Sequence, residues 1–243
     1  MTMPSELPIQ KLQFYVTTPY SCGYLENKMA QSLIVTPQFL INSEIYNNLI
    51  KQGFRRSGKF VYRPHCENCQ ACIPVRLPVN SFVPSRSQKR AYKQHQGLTT
   101  RILPVEFKNE HFDLYSAYQV ARHNGSNELD SKEQYQNFLT QSNVNSRIVE
   151  FRLNNLLKIV SVVDLLDDGI SAVYTFFETK DTQASYGTFN IMWMANWCQN
   201  LGLPFLYLGY WIKNSKKMDY KQKFKPQEML IDNKWELLTS SPP

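Results

Sequence analysis

Two hydrophobic periods alternate along the 243-residue chain, and the places where one gives way to the other mark its elements. Residues 11–17 set Leu12, Phe14 and Val16 two apart, which predicts a strand. After Asn42 and Ser43, either of which can cap, Ile45, Tyr46, Leu49 and Ile50 fall on one face of a short helix that stops at Gly53. Residues 54–62 lead into a cysteine-rich loop, 74–79 read as a strand, and Ser85 can cap a helix running to Gly97. In the second half Phe112, Tyr115 and Tyr118 recur at helical spacing after Asn109, and Ser131 with Gln134 forms the capping-box pattern of another helix. The period then shortens. Residues 147–153, 156–165 and 170–177 are β-rich runs joined by Asn154-Asn155 and by Asp167-Asp168-Gly169, which predicts an antiparallel meander. An apolar helix over 188–202 and a buried strand over 204–212 follow. Several strands with segregated helices predict the α+β class.

Charge divides this pattern unevenly. Residues 1–105 hold 13 Lys and Arg against four acids, whereas 106–243 hold 14 against 16, so the net charge of +7 comes from the first part. That predicts a basic module over 1–104, an ordinary globular one over 105–243, and a polyanion as partner. The helix after Ser85 places Arg86, Lys89, Arg90 and Lys93 at i, i+3, i+4 and i+7, hence on one face. Together with Arg101 and a second cluster of Lys213, Lys216, Lys217, Lys221, Lys223 and Lys225 around Tyr220 and Phe224, that face offers an RNA backbone two grips. A plain solvated face is the competing reading. The N-terminal segment has no apolar signal core, and no run approaches the ~18 apolar residues of a membrane span, so a soluble, cytoplasmic protein is expected.

The candidate chemistry starts at Cys66, Cys69 and Cys72, a Cys-x2-Cys-x2-Cys run in a chain with five cysteines. Soft thiolates at that spacing suit zinc or an iron–sulfur cluster, with Cys22 or His65 as fourth ligand; reduced structural thiols are the alternative. Cys198 lies between apolar helix positions and reads as core. No two of the nine glycines stand two positions apart, which removes the Gly-x-Gly loops of dinucleotide and acyl-CoA sites, and no Walker A, Gly-x-Ser-x-Gly or His-Glu-x-x-His sequence is present. No nucleotide cofactor and no hydrolase machinery are expected.

In order along nearly the whole chain, Cys22-Gly23-Tyr24-Leu25, Gly53-Phe54-Arg55-Arg56-Ser57-Gly58, the stretch from Tyr62 to Arg76, Phe82-Val83-Pro84-Ser85-Arg86-Ser87-Gln88-Lys89-Arg90, Asp164 with Gly169-Ile170-Ser171-Ala172-Val173-Tyr174, and Tyr207-Leu208-Gly209-Tyr210-Trp211-Ile212 before Lys217-Met218-Asp219-Tyr220-Lys221 resemble the arginyl-tRNA and leucyl-tRNA protein transferases of the N-degron pathway, most closely the bacterial aspartate/glutamate leucyltransferase branch. The resemblance implies a small cysteine-containing N-terminal domain joined to a GNAT-like acyltransferase domain. It further implies transfer of leucine from leucyl-tRNA to proteins with an N-terminal Asp or Glu, marking them for degradation, with no cofactor required for the reaction. Arginyl transfer on the same fold is the near alternative.

Within that class the acceptor amine attacks an ester that is already activated, so positioning matters more than acid–base groups. Tyr174, Tyr207 and Tyr210 are the candidates to move the proton, and Arg63 and Arg76 with Tyr62 are the candidates to read the acidic acceptor, since a guanidinium fork matches a carboxylate. A structural ion pair is the other reading of those arginines. Arg86, Lys89, Arg90, Lys93, Lys216, Lys217 and Lys221 are the candidate tRNA contacts. Relatives that transfer arginine carry a cysteine where this chain has Leu25, which leaves the ligand set of Cys22, Cys66, Cys69 and Cys72 one position short of theirs. Two rivals of other classes are a non-enzymatic cysteine-rich RNA-binding protein and an acyl-CoA acetyltransferase.

Overall fold

Local signals set most of the helix starts. The structure, a computed structural model, describes residues 11–122, 130–213, 215 and 217–238. In chain order the elements are β1 (Gln13–Val16), β2 (Tyr20–Ser21), β3 (Met29–Ala30), β4 (Ser32–Thr36), α1 (Ser43–Lys51), β5 (Arg55–Ser57), β6 (Phe60–Pro64), β7 (Cys72–Pro78), α2 (Arg86–Gln94), β8 (Thr99–Leu103), α3 (Asn109–Arg122), α4 (Lys132–Tyr135), β9 (Ser146–Leu153), β10 (Leu156–Leu165), β11 (Gly169–Phe177), α5 (Tyr186–Asn200), β12 (Phe205–Ile212), β13 (Glu228–Ile231) and β14 (Lys234–Leu237). Asn42 caps α1 by accepting from the Ile45 N–H, and Ser85 and Ser131 open α2 and α4 with complete capping boxes through Gln88 and Gln134.

The chain is a mixed α+β protein built on a large sheet. Its eight strands run β14-β13-β7-β12-β11-β10-β9-β8, and every neighbouring pair is antiparallel except β11 and β12. A parallel pair needs a crossover, and α5 supplies it. α5 buries Phe189, Met192, Met194 and Ala195 on one face of the sheet against Leu77, Phe151, Ile170 and Leu206. On the other face Tyr115 of α3 and Tyr135 of α4 pack with Ile148, Val160, Val162 and Phe176. The meander forms with the register its turns require: Asn154 and Asn155 take φ of +49° and +66°, the left-handed pair of a two-residue hairpin.

A second sheet of order β1-β4-β6-β5 carries α1 and a core of Val35, Tyr46, Ile50, Phe54 and Val61. The division near Pro104 drawn from charge does not coincide with either sheet. β7 lies in the middle of the large sheet, between β13 and β12, and β8 closes its far edge against β9, so only the strands of residues 13–64 stand apart. Charge sorted surface from surface there, while strand pairing followed apolar register.

The two sheets are joined by Arg56 of β5, whose Nη2 lies 2.6 Å from Asp164 Oδ1 on β10, with both side chains essentially sealed from solvent. Arg56 Nε adds bonds of 2.9 and 2.8 Å to the two carboxylate oxygens, and Ser146 Oγ donates to Oδ1 at 2.6 Å. Removing one partner of a sealed pair leaves the other charge unpaired. Asp164→Asn is expected to lower the unfolding free energy by about 3–5 kcal/mol. Urea denaturation followed by tryptophan fluorescence measures it, and an unaltered midpoint would show that the pair does not hold the sheets together.

Candidate active site

β11 and β12 pair only at their first residues, Gly169 with Phe205, Ile170 with Leu206 and Ser171 with Tyr207. Beyond that rung they diverge, although β11 continues to Phe177 and β12 to Ile212. At the base the strands approach so closely that a Cβ on Gly169 would stand 2.3 Å from the Phe205 carbonyl oxygen, a distance only glycine permits. The divergence leaves two facing strand edges with no strand partner, a wedge open to a ligand.

Arg55, from the strand next to α1, reaches this wedge. Its Nη1 donates to Ser171 Oγ at 3.0 Å and its Nη2 to the Ala172 carbonyl, both on β11. On the β12 side Leu208 is bulged out of register with β7, and Gly209 takes φ +82° above the guanidinium, where a Cβ would lie 3.6 Å from it. Lys221, from a turn of 3-10 helix at Asp219–Lys223, is only 4% exposed and donates from Nζ to the Tyr210 carbonyl on β12. Burial, then the Arg55 charge, pushes the Lys221 amine down to about 7, with Cys72 opposing.

Four tyrosines lie near one another beside Arg55. Tyr24 and Tyr220 keep 42% and 43% of their surface free, yet the protein crowded around them pushes both phenols up to about 12. Tyr62 is half-buried and likewise raised by burial, with Arg55 pulling the other way. Tyr174, half-buried on β11, packs edge-on against Phe138, and its hydroxyl bonds to nothing among the described residues. Burial and then Tyr118 hold that phenol well above its ordinary range.

The other predicted positions are placed as follows. Tyr207 is 2% exposed, and its hydroxyl donates to Asp168 Oδ2 at 2.9 Å and accepts from Arg76 Nη1 at 3.1 Å, so no lone proton faces the wedge. Tyr210 donates to the Gly53 carbonyl at 2.8 Å. Arg76, expected to read the acceptor, instead pairs with Glu228 at 2.6 Å and lies 3.5 Å over the Phe205 ring and 4.3 Å over Trp235, the structural ion pair that was the competing reading. Arg63 donates to the Gln52 carbonyl at 3.2 Å and sits 4.9 Å over Phe54, outside the wedge. Lys221, expected on an RNA-binding surface, is buried in the wedge; Arg55 was not singled out. Its position beside two glycines and a phenylalanine, in a stretch too short for a surface loop, was the available signal.

Arg86, Lys89, Arg90 and Lys93 are all exposed and make no ion pair among the described residues. Gln88 Nε2 donates to the Lys223 carbonyl at 2.9 Å and Phe82 meets Phe224 at 6.1 Å, so α2 docks beside the lysine-rich turn and brings exposed Lys217, Lys223 and Lys225 next to its basic face. Lys216 lies outside the described residues.

Cys22, Cys66 and Cys69 surround Cys72 closely enough to help burial push its thiol up to about 12. Even so, no three His, Cys, Asp or Glu side chains converge as a ligand set among the described residues, and His65 is exposed. The thiols as arranged do not fit a closed metal centre. Cys198 is core, its thiol donating toward the Phe205 carbonyl. A shallow depression of about 670 Å³ elsewhere, lined by Gln38, Asn42, Lys59 and Asn143 among others, holds one cation and no carboxylate.

Sequence models of the arginine-tRNA-protein transferase N terminus and C terminus match residues 20–90 and 110–231. The chain belongs to the arginine-tRNA-protein transferase family. Among its relatives, the aspartate/glutamate leucyltransferase of Methylobacillus flagellatus is 64% identical over 97% of this chain and 95% of its own length, and that of Polynucleobacter asymbioticus is 50% identical over 99% and 100%. The fold is shared with L-PGS from Bacillus licheniformis (TM-score 0.51, 13% identity, 70% of this chain and 59% of that one) and with FemX (TM-score 0.50, 7% identity, 89% and 86%). The family's N-terminal match ends on α2 and its C-terminal match begins on α3, so the first contributes β7 and the second β9 to β13 to the large sheet, while the edge strands β8 and β14 lie outside both.

Because the Tyr207 hydroxyl bonds both Arg76 and Asp168, Tyr207→Phe is expected to cost about 1–3 kcal/mol of stability by removing those two hydrogen bonds, while Arg76 keeps its pair with Glu228. Thermal unfolding checks this, and an unchanged Tm would release Tyr207 from that role.

Proposed function

We propose that this protein is an aminoacyltransferase that moves leucine from leucyl-tRNA to the N-terminal Asp or Glu of acceptor proteins, marking them for degradation. The observation that carries the reading is the 64% identity, over nearly the full length of both chains, to a protein named aspartate/glutamate leucyltransferase. The wedge between β11 and β12 supports it, since two strand edges part there beside the buried cations Arg55 and Lys221.

The acceptor's α-amine, with a reference pKa of about 8, is partly neutral at physiological pH and needs little activation. Its nitrogen attacks the leucyl carbonyl carbon; a C–N bond forms, the C–O bond to the ribose breaks, and the amine proton must end on the departing ribose oxygen. The facing edges of β11 and β12 offer backbone N–H groups for the oxyanion. Tyr174 is the residue assigned in this reading to relay the proton, supported by a hydroxyl that bonds to nothing among the described residues and a phenol held protonated by burial. Tyr207 and Tyr210, with committed hydroxyls, serve as wall.

The tRNA lies along the exposed cations of α2 and the adjoining Lys217, Lys223 and Lys225, with its aminoacylated end entering the wedge beside Tyr220. That surface sits on the same turn that carries Lys221 inward, so backbone grip and reaction site are joined by a few residues. Among the described residues no helix is long and apolar enough to cross a membrane, and the reaction as written needs no metal, so the cysteine cluster is given a structural role beside β7.

Transfer measured by mass from tRNA charged with leucine or with arginine, onto peptides beginning with Asp, Glu or Ala, tests the reading. Leucine should appear on the Asp and Glu peptides alone; arginine in its place, or gain by neither, would overturn it. Changing Arg86, Lys89, Arg90 and Lys93 together to Gln should weaken tRNA binding and lower the slope of log K against log salt by about 0.7–0.9 per lost phosphate contact. An unaltered slope would show that α2 faces solvent only.

A further inference from the structure

Among the buried cations of this protein, Arg56, Arg76 and Arg152 each have a carboxylate within 2.6 Å or less. Arg55 and Lys221 have none within 4 Å among the described residues, although they are 9% and 4% exposed. Two like charges buried near each other without an anion oppose folding unless something else compensates. Their surroundings supply no anion, since Tyr62, Tyr210 and Cys72 are all held in their neutral forms by burial.

We propose that Arg55 and Lys221 together form the seat for the acidic side chain of the acceptor's N-terminal residue, flanking its carboxylate at the parting of β11 and β12. The inference rests on the leucyl-transfer reading and assigns the acceptor specificity of that same site. Arg55 is anchored to β11 through Ser171 and Ala172, and Lys221 to β12 through the Tyr210 carbonyl, so the two cations stand on opposite sides of the wedge. Two guanidinium N–H bonds go to β11, and the other N–H groups of Arg55 make none among the described residues. Lys221 spends one bond on a carbonyl and one on the soft Met218 sulfur at 3.2 Å, a weak acceptor that a carboxylate displaces easily. Behind the guanidinium, a void of about 10 Å³ closed by Ile50, Phe54, Val75 and Trp235 is too small for a ligand, which leaves approach from the wedge.

The placement also explains how recognition delivers the nucleophile. Asp and Glu carry the α-amine a short carbon spacer from the carboxylate, so a carboxylate held between these cations puts the amine beside the open strand edges where the ester enters. Asn or Gln would fill the same space and leave both cations without an anion, the kind of mismatch that gives strong discrimination between near-isosteres. A phosphodiester is a poorer occupant, because the nucleic acid already has an exposed basic rim on α2 and the neighbouring turn, whereas this seat is buried.

The test compares kcat/KM for leucyl transfer to peptides that differ only in Asp or Asn at the N-terminus, in the wild type, Arg55→Gln, Lys221→Gln and Lys221→Arg, with KM for leucyl-tRNA measured in parallel. Each Gln variant should lower the Asp-over-Asn ratio by about 10- to 100-fold, the worth of a lost charge-assisted bond, while KM for leucyl-tRNA holds and Lys221→Arg restores part of the ratio. An unchanged ratio overturns the proposal, whatever the loss in rate, and a rise in KM for leucyl-tRNA alone would assign the cations to the nucleic acid. Should the variants not fold, hydrogen exchange on the wild type decides. The Asp peptide, and not the Asn peptide, should protect the amides of 205–212; equal protection overturns the seat. Failure of the wild type to transfer leucine to any acidic peptide would remove the underlying reading, whereas normal wild-type transfer with unaltered ratios would remove this inference alone.

Discussion

Two successive arginines of a three-residue strand plug into one rung of the large sheet, and the rest of the molecule is arranged around that contact. Asp164 and Ser171 face each other across β10 and β11; Arg56 takes the carboxylate and Arg55 takes the hydroxyl. The first is a neutralised, sealed pair that fixes the small sheet on the large one. The second places an uncompensated cation in the wedge where β11 leaves β12. One short strand therefore supplies both the joint between the sheets and a side chain beside the parting of β11 and β12, which ties the folding of residues 13–64 to the geometry of residues 169–212.

The wedge exists because a single parallel pair sits in an otherwise antiparallel sheet. α5 carries the chain back across the sheet, Gly169 permits the close start, and the bulge at Leu208 with the left-handed Gly209 turns β12 away. Around the opening, neutral tyrosines and a neutral thiol exclude competing charge, so two cations at its base act through a poorly screened path. The outer face is basic for a different reason: Arg86, Lys89, Arg90 and Lys93 of α2 and Lys217, Lys223 and Lys225 beside it are exposed, and under the proposed function their charges would address a polyanion through counterion release rather than through fixed geometry. The two kinds of cation differ in burial and hence in what each can distinguish.

Much of this was legible in the chain. The caps at Asn42, Ser85 and Ser131, the meander with its Asn154-Asn155 turn, α5 and β12 followed from period and turn chemistry, since each depends on residues close in sequence. The hairpin of β13 and β14 carried the same kind of signal in Asp232-Asn233, with φ of +47° and +62°, but its strands are only four residues each. That β7 and β8 join the large sheet was not legible, because pairing between residues 72–78 and 205–212 is invisible to local pattern. The basic face of α2 was read from spacing. Lys221 was not, because a lysine in a lysine-rich run looks solvated until the fold turns it inward, and the commitments of Arg76 to Glu228 and of Tyr207 to Asp168 are likewise long-range facts.

The central claim is that leucyl ester and acceptor amine meet at the parting of β11 and β12. A crystal structure with a hydrolysis-resistant leucyl-adenosine amide tests it directly. The account predicts density for the leucyl carbonyl between Ala172 and Gly209, above Arg55 and within reach of the Tyr174 hydroxyl. Density for the analogue in the depression beside Lys59 and Asn143, with the wedge unchanged, would contradict it.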